Sequence, residues 1–245
     1  MTEIVLAIDA GTTGVRSMLF NKTGTVLGAA YSEYESMYPR PSWVEQDAES
    51  WWLTSCDTIK RAMADAGLGA EKVVGVSVTN QRETIVPIDE DGKPLRNAIV
   101  WQDRRTGPQC DWILNHMSED EVYTITGLTV DPYFSAPKLL WIKENEESIF
   151  KKAHKFLLVH DYLIYRLSDE LTTDFSNASR TMLFDLRGGT WSERMLDVLE
   201  IPEEKLPTPV EPGTRVGEIT AHASKETGLK EGTPVVAGGG DQQCA

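Results

Sequence analysis

The chain has 245 residues, with 24 lysines and arginines against 38 aspartates and glutamates, which gives a formal charge of -14 at pH 7. This acidic balance disfavours a general affinity for nucleic acid or for an anionic membrane surface, so an anionic ligand needs a local cluster of donors. The three cysteines form no metal-binding pattern, and the sequence shows neither a secretory leader nor an apolar run of about 20 residues. We therefore expect a soluble cytoplasmic protein.

The first part of the chain predicts a sheet. Three β-rich runs, residues 4–9, 15–21 and 26–34, are separated by the turn sequences AGTTG and KTGT, and they predict an antiparallel meander. Residues 73–79 are nearly all apolar and predict a buried strand that is covered on both faces.

The rest of the chain predicts mainly helices and loops. A first helix is expected between Asp47 as its N-cap and Gly67 as its stop. Further elements are predicted as a short strand at 98–101, helices at 106–117, 137–150, 156–167, 192–199 and 222–228, and a strand that starts at 234. Strands at both ends with helices between them predict one α/β domain, in which a mixed sheet flanked by helices carries a large helical and loop insertion.

The segment IDAGTTGVRS places an acid at the end of the first strand, followed by a glycine-threonine turn. The backbone N–H groups and hydroxyls at Gly11, Thr12 and Thr13 suit phosphate oxygens, and Arg16 adds a positive charge. Asp9 is placed to hold Mg2+ through water. The alternative is an ordinary hairpin turn without a ligand.

Two polar segments follow strands and are candidates for substrate contact. Arg82 and Glu83 in TNQRET stand at the end of the apolar strand, where ligands collect in open α/β sheets. Trp101 in AIVWQDRRT offers an indole for the carbon backbone of a polyol, and the arginines after it are placed to pair with nearby acids. Tyr133 would bring a phenol to the same rim. A solvated ion pair, a core indole and a surface turn are the respective alternatives.

The chain closes with VVAGGGDQQCA, in which three glycines precede Asp241. Glycines in this position would let a substrate approach the backbone. Asp241 is then a candidate general base, taking the proton from a hydroxyl as its oxygen attacks phosphorus. A glycine-rich turn with an exposed acid is the alternative.

Together and in this order, these segments resemble the FGGY family of carbohydrate kinases. The resemblance covers essentially the whole chain and is carried by DAGTTGVRS, YPRPSWVEQDAESWW, TNQRET, NAIVWQDRRT, TGLTVDPYFS, SNASRTMLFD and GDQQ. It implies the ribonuclease H-like fold of actin and hexokinase, with an active site in the cleft between two domains. Residues 1–245 correspond to the N-terminal, substrate-binding domain, and the C-terminal nucleotide-binding domain is expected to be absent from this chain.

The resemblance also implies a reaction, namely the ATP-dependent phosphorylation of a small polyol with Mg2+. By matching positions, the residues around the polyol are Arg82, Glu83, Trp101, Tyr133, Asp241 and Gln242. Asp9 attends Mg2+, the terminal phosphates of ATP face Gly11, Thr12, Thr13 and Arg16, and Asp241 is the base.

The substrate and the state of the isolated chain stay open. The residues that would touch the substrate favour glycerol, whereas the triple glycine, HDYLIYRL and SAPKLLW resemble relatives that act on pentuloses, erythritol or autoinducer-like sugars. A polyol-binding module without catalysis is the alternative from another class. As given, the chain is expected to turn over little on its own, and the surface that a second domain would cover favours a homodimer or a higher homo-oligomer.

Overall fold

The computed structural model describes residues 3–245, which form a six-stranded sheet, a four-stranded sheet, two two-stranded sheets and the helices packed around them. In chain order the strands are β1 (Ile4–Ala10), β2 (Gly14–Asn21), β3 (Val26–Glu33), β4 (Glu45–Gln46), β5 (Val73–Asn80), β6 (Ile85–Ile88), β7 (Ala98–Ile99), β8 (Lys155–Leu158), β9 (Thr172–Asp174), β10 (Phe184–Asp185), β11 (Thr190–Trp191), β12 (Thr208–Val210), β13 (Arg215–Glu218) and β14 (Pro234–Gly240).

The helices stand between groups of these strands in the first part of the chain and alternate more closely with them after β8. They are α1 (Ala48–Ala66), α2 (Gly107–His116), α3 (Glu119–Thr126), α4 (Ser135–Asn145), α5 (Glu147–Lys152), α6 (Val159–Ser168), α7 (Phe175–Ala178), α8 (Glu193–Leu199), α9 (Ala221–Thr227) and α10 (Asp241–Cys244), with 3-10 turns at Ala70–Lys72 and Glu203–Lys205. Within residues 3–245, none of them has both the length and the apolar character that a bilayer-crossing helix requires.

The main sheet has six strands in the order β13-β14-β5-β1-β2-β3. The strands β1, β2 and β3 pair antiparallel, which confirms the predicted meander, while β1, β5 and β14 run parallel. Because parallel strands end at the same edge, the segments that follow these three strands are brought together. The mixed sheet flanked by helices confirms the predicted fold class.

The second sheet, β4-β7-β6-β8, is antiparallel and lies between two hydrophobic cores. Val86 belongs to the core of the main sheet, whereas Ile85 and Ile99 belong to a separate core. This core corresponds to the predicted insertion, but the chain enters it twice. Between the two passes, α6 packs into the core of the main sheet through residues such as Tyr162 and Leu163. The insertion is therefore built from two segments on either side of α6 instead of one continuous excursion.

Several predicted boundaries are wrong for reasons that lie in tertiary pairing. Residues 156–158 of the helix expected at 156–167 instead belong to β8, because Leu158 pairs with Ile85 of β6. The helix expected at 137–150 starts at Ser135 and breaks at Glu146, whose φ of -135° is not helical. The strand expected at 98–101 ends at Ile99, which leaves Trp101 in the turn that follows.

The strand β5 is less enclosed than its apolar sequence predicts. Val74 is 45% exposed, and Val5 on the neighbouring strand β1 is 47% exposed. The opposite face of β1 is buried through Ile4, Leu6 and Ile8. The prediction that both faces of β5 are covered is therefore wrong, since one face of the main sheet is partly open.

Candidate active site

The ends of the three parallel strands are level with one another. Asp9 of β1 and Gly239 of β14 both lie opposite Thr79 of β5 in the register of the sheet. The segment after β5 carries Arg82, and the segment after β14 starts with Asp241. Predicted site residues that are far apart in sequence thus share one edge of the sheet.

The strand β14 continues through all three glycines and bulges as it does so. Its register against β5 shifts between Val236 and Gly239. A Cβ at Gly238 would lie 1.9 Å from the carbonyl oxygen of Val78, and a Cβ at Gly240 would lie 2.2 Å from Cδ of Arg82. The glycines were predicted to admit a substrate, but in the structure they admit the chain's own backbone and side chains.

Buried polar side chains fix the backbone of this bulge. The Gly238 N–H donates to Nε2 of His160 at 3.2 Å, and the Gly240 N–H donates to Oγ of Ser176 at 2.8 Å. Because Nε2 is an acceptor, the ring hydrogen of His160 lies on Nδ1, which is 3.1 Å from Oδ1 of the buried Asp161. Burial raises the pKa of the Asp161 carboxyl. These residues belong to HDYLIYRL and SNASRTMLFD, and the sequence analysis assigned them no role.

Asp241 follows the bulge directly and is held by Arg82. The Nε of Arg82 donates to Oδ1 of Asp241 at 3.2 Å, with the arginine side chain 10% exposed and the aspartate side chain 40% exposed. Gln242 is exposed, and within residues 3–245 its side chain makes no hydrogen bond in the structure. The structure therefore joins two of the predicted substrate-binding residues and leaves Gln242 free at the surface.

Asp9 faces the same space as Asp241. Burial raises the pKa of the Asp9 carboxyl, the negative charge of Asp241 adds to this rise, and Arg16 opposes it. Two carboxylates with this mutual repulsion suit a divalent cation, which would relieve it. Among residues 3–245 no three or more metal-binding side chains come together. A pair of carboxylates, without further protein ligands, fits a Mg2+ that takes most of its ligands from water and phosphate oxygens.

Side chains from elsewhere in the chain donate hydrogen bonds to the backbone of the predicted phosphate turn, residues 11–13. The hydroxyl of Tyr34 donates to the carbonyl of Gly11, and Nε2 of Gln46 donates to the carbonyl of Thr12 at 2.8 Å. The N–H of Gly11 donates to the carbonyl of Gly14 at 3.0 Å, so it is not one of the free donors that the sequence predicted. These bonds fix the backbone of the turn, while Thr12 stays half-buried and Thr13 stays exposed.

Thr13 and Arg16 both contact Tyr31. The hydroxyl of Thr13 is 3.3 Å from the phenol oxygen of Tyr31, and the guanidinium carbon of Arg16 is 5.6 Å from the centre of its ring. Both side chains are exposed, and Arg16 pairs in register with Asp9. The charge of Arg16 is therefore available on the same side of the turn as the acid.

Trp101 connects the phosphate turn with the predicted polyol site. Its indole N–H donates to the hydroxyl of Thr12 at 3.0 Å, and its ring lies 5.4 Å from the ring of Tyr133. Next to it, Arg104 and Arg105 pair with Asp131 and Asp103 at 2.5 and 2.8 Å. The local pairing predicted for these arginines is confirmed.

Glu83 is buried close enough to Tyr133 that, in addition to burial, its charge raises the pKa of the Tyr133 phenol. It is 1% exposed and has a φ of +63°, a conformation that non-glycine residues adopt only when their surroundings fix it. Burial raises the pKa of its carboxyl, and Arg180 opposes this by donating from Nε to Oε1 at 2.7 Å. Arg180 was not assigned a role from the sequence, although SNASRTMLFD contains it.

The loop that carries Tyr133 is anchored by a buried lysine. Nζ of Lys138 donates to the carbonyls of Pro132, Tyr133 and Phe134 at 3.0, 2.5 and 2.9 Å. Burial lowers the pKa of this ammonium group to about 7. The sequence signal was a single lysine in the helical segment SAPKLLW, which also fits a surface position.

A mixed sheet whose parallel strands present acids beside a glycine-threonine turn defines a domain of the actin and hexokinase type. The chain belongs to the FGGY family of carbohydrate kinases, because the family model for the N-terminal domain matches residues 4–245. The resemblance that was noted from the sequence motifs is thereby confirmed.

Similar proteins agree with this assignment. The chain is 41% identical over 249 residues to a glycerol kinase of Thermococcus onnurineus, a match that covers 100% of the chain and 49% of that protein. Among solved structures, it is similar to a xylulose kinase from Rhodospirillum rubrum with a TM-score of 0.93, 26% identity and coverage of 98% and 49%. It is also similar to Plasmodium falciparum glycerol kinase with ADP, with a TM-score of 0.89, 25% identity and coverage of 99% and 49%. The chain thus spans about half the length of the curated relatives it matches.

Proposed function

We propose that this chain supplies the polyol site, the first phosphate turn and the general base of a cytoplasmic ATP-dependent kinase that converts glycerol to glycerol 3-phosphate. The observation that carries the proposal is the contact of 3.2 Å between Arg82 and Asp241. It unites a donor suited to a polyol hydroxyl with a carboxylate suited to deprotonate one. Because the chain spans about half of its curated relatives, the activity is proposed for a protein that has both halves.

The described residues suit each part of polyol recognition. Arg82 donates to a hydroxyl and Glu83 accepts from one, while the rings of Trp101 and Tyr133 pack against the carbon chain. Asp241 takes the proton of the hydroxyl whose oxygen attacks the γ-phosphorus, and the bond between that phosphorus and ADP breaks. In the ion pair with Arg82, the side chain of Asp241 is the more exposed one, and a base that meets a substrate must be accessible.

The phosphate side is assigned to Asp9 and to the turn after β1. Thr12, Thr13 and Arg16 are placed to contact the terminal phosphates, since their polar groups lie on the accessible side of the turn. Asp9 would hold Mg2+ directly or through water, and the cation would supply charge neutralisation at the phosphates.

Glycerol is the preferred acceptor because the relatives at about 40% identity are named glycerol kinases. The xylulose kinase that shares the fold with a TM-score of 0.93 keeps a pentulose as the competing acceptor. Glycerol and a pentulose differ in size, so an activity panel that contains both acceptors distinguishes the two assignments.

The test of activity uses this chain fused after Ala245 to the second half of the Thermococcus onnurineus glycerol kinase, with the 245-residue chain alone as a second arm. ADP release is measured with glycerol, erythritol, dihydroxyacetone, xylulose, ribulose and gluconate. The proposal expects the highest kcat/KM with glycerol and little turnover from the chain alone. A preference for a pentulose overturns the choice of substrate, and robust glycerol-dependent ADP release by the chain alone overturns the need for a second half.

Replacing Asp241 by Asn in the fusion tests the general base. We expect kcat to fall by roughly a hundredfold or more with little change in KM, because the isosteric amide keeps the contact with the substrate but cannot take its proton. The control variant is Glu231→Gln. Glu231 is exposed and precedes β14, whereas Asp241 follows the opposite end of that strand. An Asp241→Asn enzyme with unchanged kcat excludes this role.

A further inference from the structure

Arg180 reaches the candidate site from the segment SNASRTMLFD, in which the sequence predicted no site residue. It lies in the turn after α7, where its N–H donates to the carbonyl of Asn177 at 3.0 Å. The next residue, Thr181, accepts a backbone hydrogen bond from Ala136 at 2.8 Å. The backbone on both sides of Arg180 is therefore fixed to α7 and to the first turn of α4.

The guanidinium of Arg180 contacts one carboxylate and two rings. Its Nε is 2.7 Å from Oε1 of Glu83, and its central carbon is 5.8 Å from the centre of the Tyr133 ring and 4.9 Å from that of Phe134. The side chain of Arg180 is 26% exposed, whereas that of Glu83 is 1% exposed. The arginine thus contacts a buried carboxylate while part of its own side chain stays exposed.

The contact uses only one oxygen of Glu83. In the structure of residues 3–245, Oε1 accepts from Arg180, and Oε2 accepts no hydrogen bond from any side chain or backbone group of those residues. The carbonyl of Glu83 is held separately by the hydroxyl of Ser135 at 3.2 Å. The carboxylate is therefore oriented by Arg180 with one oxygen left for another partner.

We propose that Arg180 is a positioning residue for polyol binding, which orients the Glu83 carboxylate with Oε2 turned to a substrate hydroxyl and holds the Tyr133 ring against the same substrate. The proposal rests on the proposed function of the site. A planar guanidinium is suited to both tasks, since it donates in the plane of the carboxylate and stacks its face on a ring, whereas a lysine ammonium does only the first.

The surroundings of Glu83 make its charge depend on this contact. The groups that face it are Arg82 on its own segment, Lys138 of α4, Tyr133 of the loop before α4, and Arg180. Burial raises the pKa of Glu83, and the hydrogen bond from Arg180 is the largest effect that opposes this rise. Removing Arg180 therefore moves the pKa of Glu83 further upward, so that a protonated carboxyl competes with the form that accepts from a hydroxyl.

The experiment compares wild type with Arg180→Gln and Arg180→Lys, and uses exposed Arg187→Gln as the matched control from the same segment. The titration of the Glu83 carboxyl is followed by NMR in the 13C-glutamate-labelled chain, with Glu83→Gln for the assignment. Glycerol affinity is measured by ligand-observed NMR from about pH 6 to pH 9. Circular dichroism checks that each variant is folded.

In Arg180→Gln we expect the Glu83 titration to move upward and glycerol binding near neutral pH to weaken roughly 10- to 100-fold, with part of the loss recovered as the pH rises. Arg180→Lys should restore the titration more than the affinity, because it lacks the ring contact. A folded Arg180→Gln chain whose Glu83 titrates as in wild type, or whose affinity falls equally at every pH, overturns the proposal. If wild type binds no polyol, the proposed function fails, while the titration still decides whether Arg180 sets the charge of Glu83.

Discussion

Replacing Gly238 by Ala tests the explanation given for the triple glycine. The added Cβ would stand 1.9 Å from the carbonyl oxygen of Val78 and 2.8 Å from its carbonyl carbon. Both atoms belong to the backbone of β5, the central strand of the sheet, so neither can turn away as a flexible side chain would. The strands β5 and β14 must separate by roughly 1 Å before the contact becomes tolerable.

The magnitude follows from that separation. Overpacking at a rigid site typically costs about 1–3 kcal/mol, and each ladder hydrogen bond that is stretched beyond its range costs about 1 kcal/mol more. A loss of about 3 kcal/mol corresponds to a fall of roughly 6–12 °C in Tm for a chain of this size. The assay is thermal unfolding followed by circular dichroism, at matched pH and protein concentration.

Gly11→Ala is the control, because the nearest atom to a Cβ at Gly11 is the carbonyl oxygen of Gly14 at 3.6 Å, an ordinary contact. Gly11 also lies outside the left-handed region, so alanine is tolerated there and should leave Tm unchanged or raise it slightly. If Gly238→Ala melts within about 2 °C of wild type, or if Gly11→Ala is destabilised as much, the steric explanation is refuted.

Two further predictions concern buried polar groups. Lys138 has its pKa lowered to about 7 from an ordinary 10.5, so between these values the unfolded chain binds a proton that the folded chain does not, and the free energy of unfolding rises with pH by up to about 1.4 kcal/mol per unit. Urea unfolding at about pH 7.5 and 8.5 should show this slope in wild type and a smaller one in Lys138→Met; equal slopes in both would contradict it. His160→Phe should speed amide exchange at Gly238 roughly tenfold through loss of one hydrogen bond, while His160→Gln, which keeps an acceptor, should restore protection. Unchanged exchange in His160→Phe would show that this bond does not fix the bulge.

The sequence predicted the elements whose signals are local. The meander has its own turns, and α1 has both its caps: Asp47 accepts from the N–H of Glu49, and Gly67 adopts a φ of +63°. The helix α3 carries equally local signals, since Ser118 accepts from the N–H of Glu121 and Gly127 adopts a φ of +70°. The elements predicted from the sequence do not include α3, although both of its capping signals are local.

Elements that depend on distant partners were not predictable in this way. The residues of β8 have a helix-compatible sequence and become a strand because β6 offers them a ladder. The roles of His160 and Arg180 likewise depend on backbone and carboxylate groups more than 75 positions away in the chain, at Gly238 and Glu83. The motifs supplied candidate residues that the fold brings to one edge of the sheet, but only the fold shows which polar groups hold that edge in place.

Contacts within the site connect its phosphate turn with its proposed polyol side. The indole of Trp101 donates to the hydroxyl of Thr12 on the phosphate turn while its ring contacts Tyr133 on the polyol side. The charge of Asp241, the proposed base, also raises the pKa of Asp9, the proposed cation ligand. On the proposed function, a polyol that moves Trp101 or separates Asp241 from Arg82 would change the geometry and charge at Thr12 and Asp9, where ATP and Mg2+ are proposed to bind. We therefore expect acceptor binding and nucleotide binding to be coupled through these shared hydrogen bonds and charges.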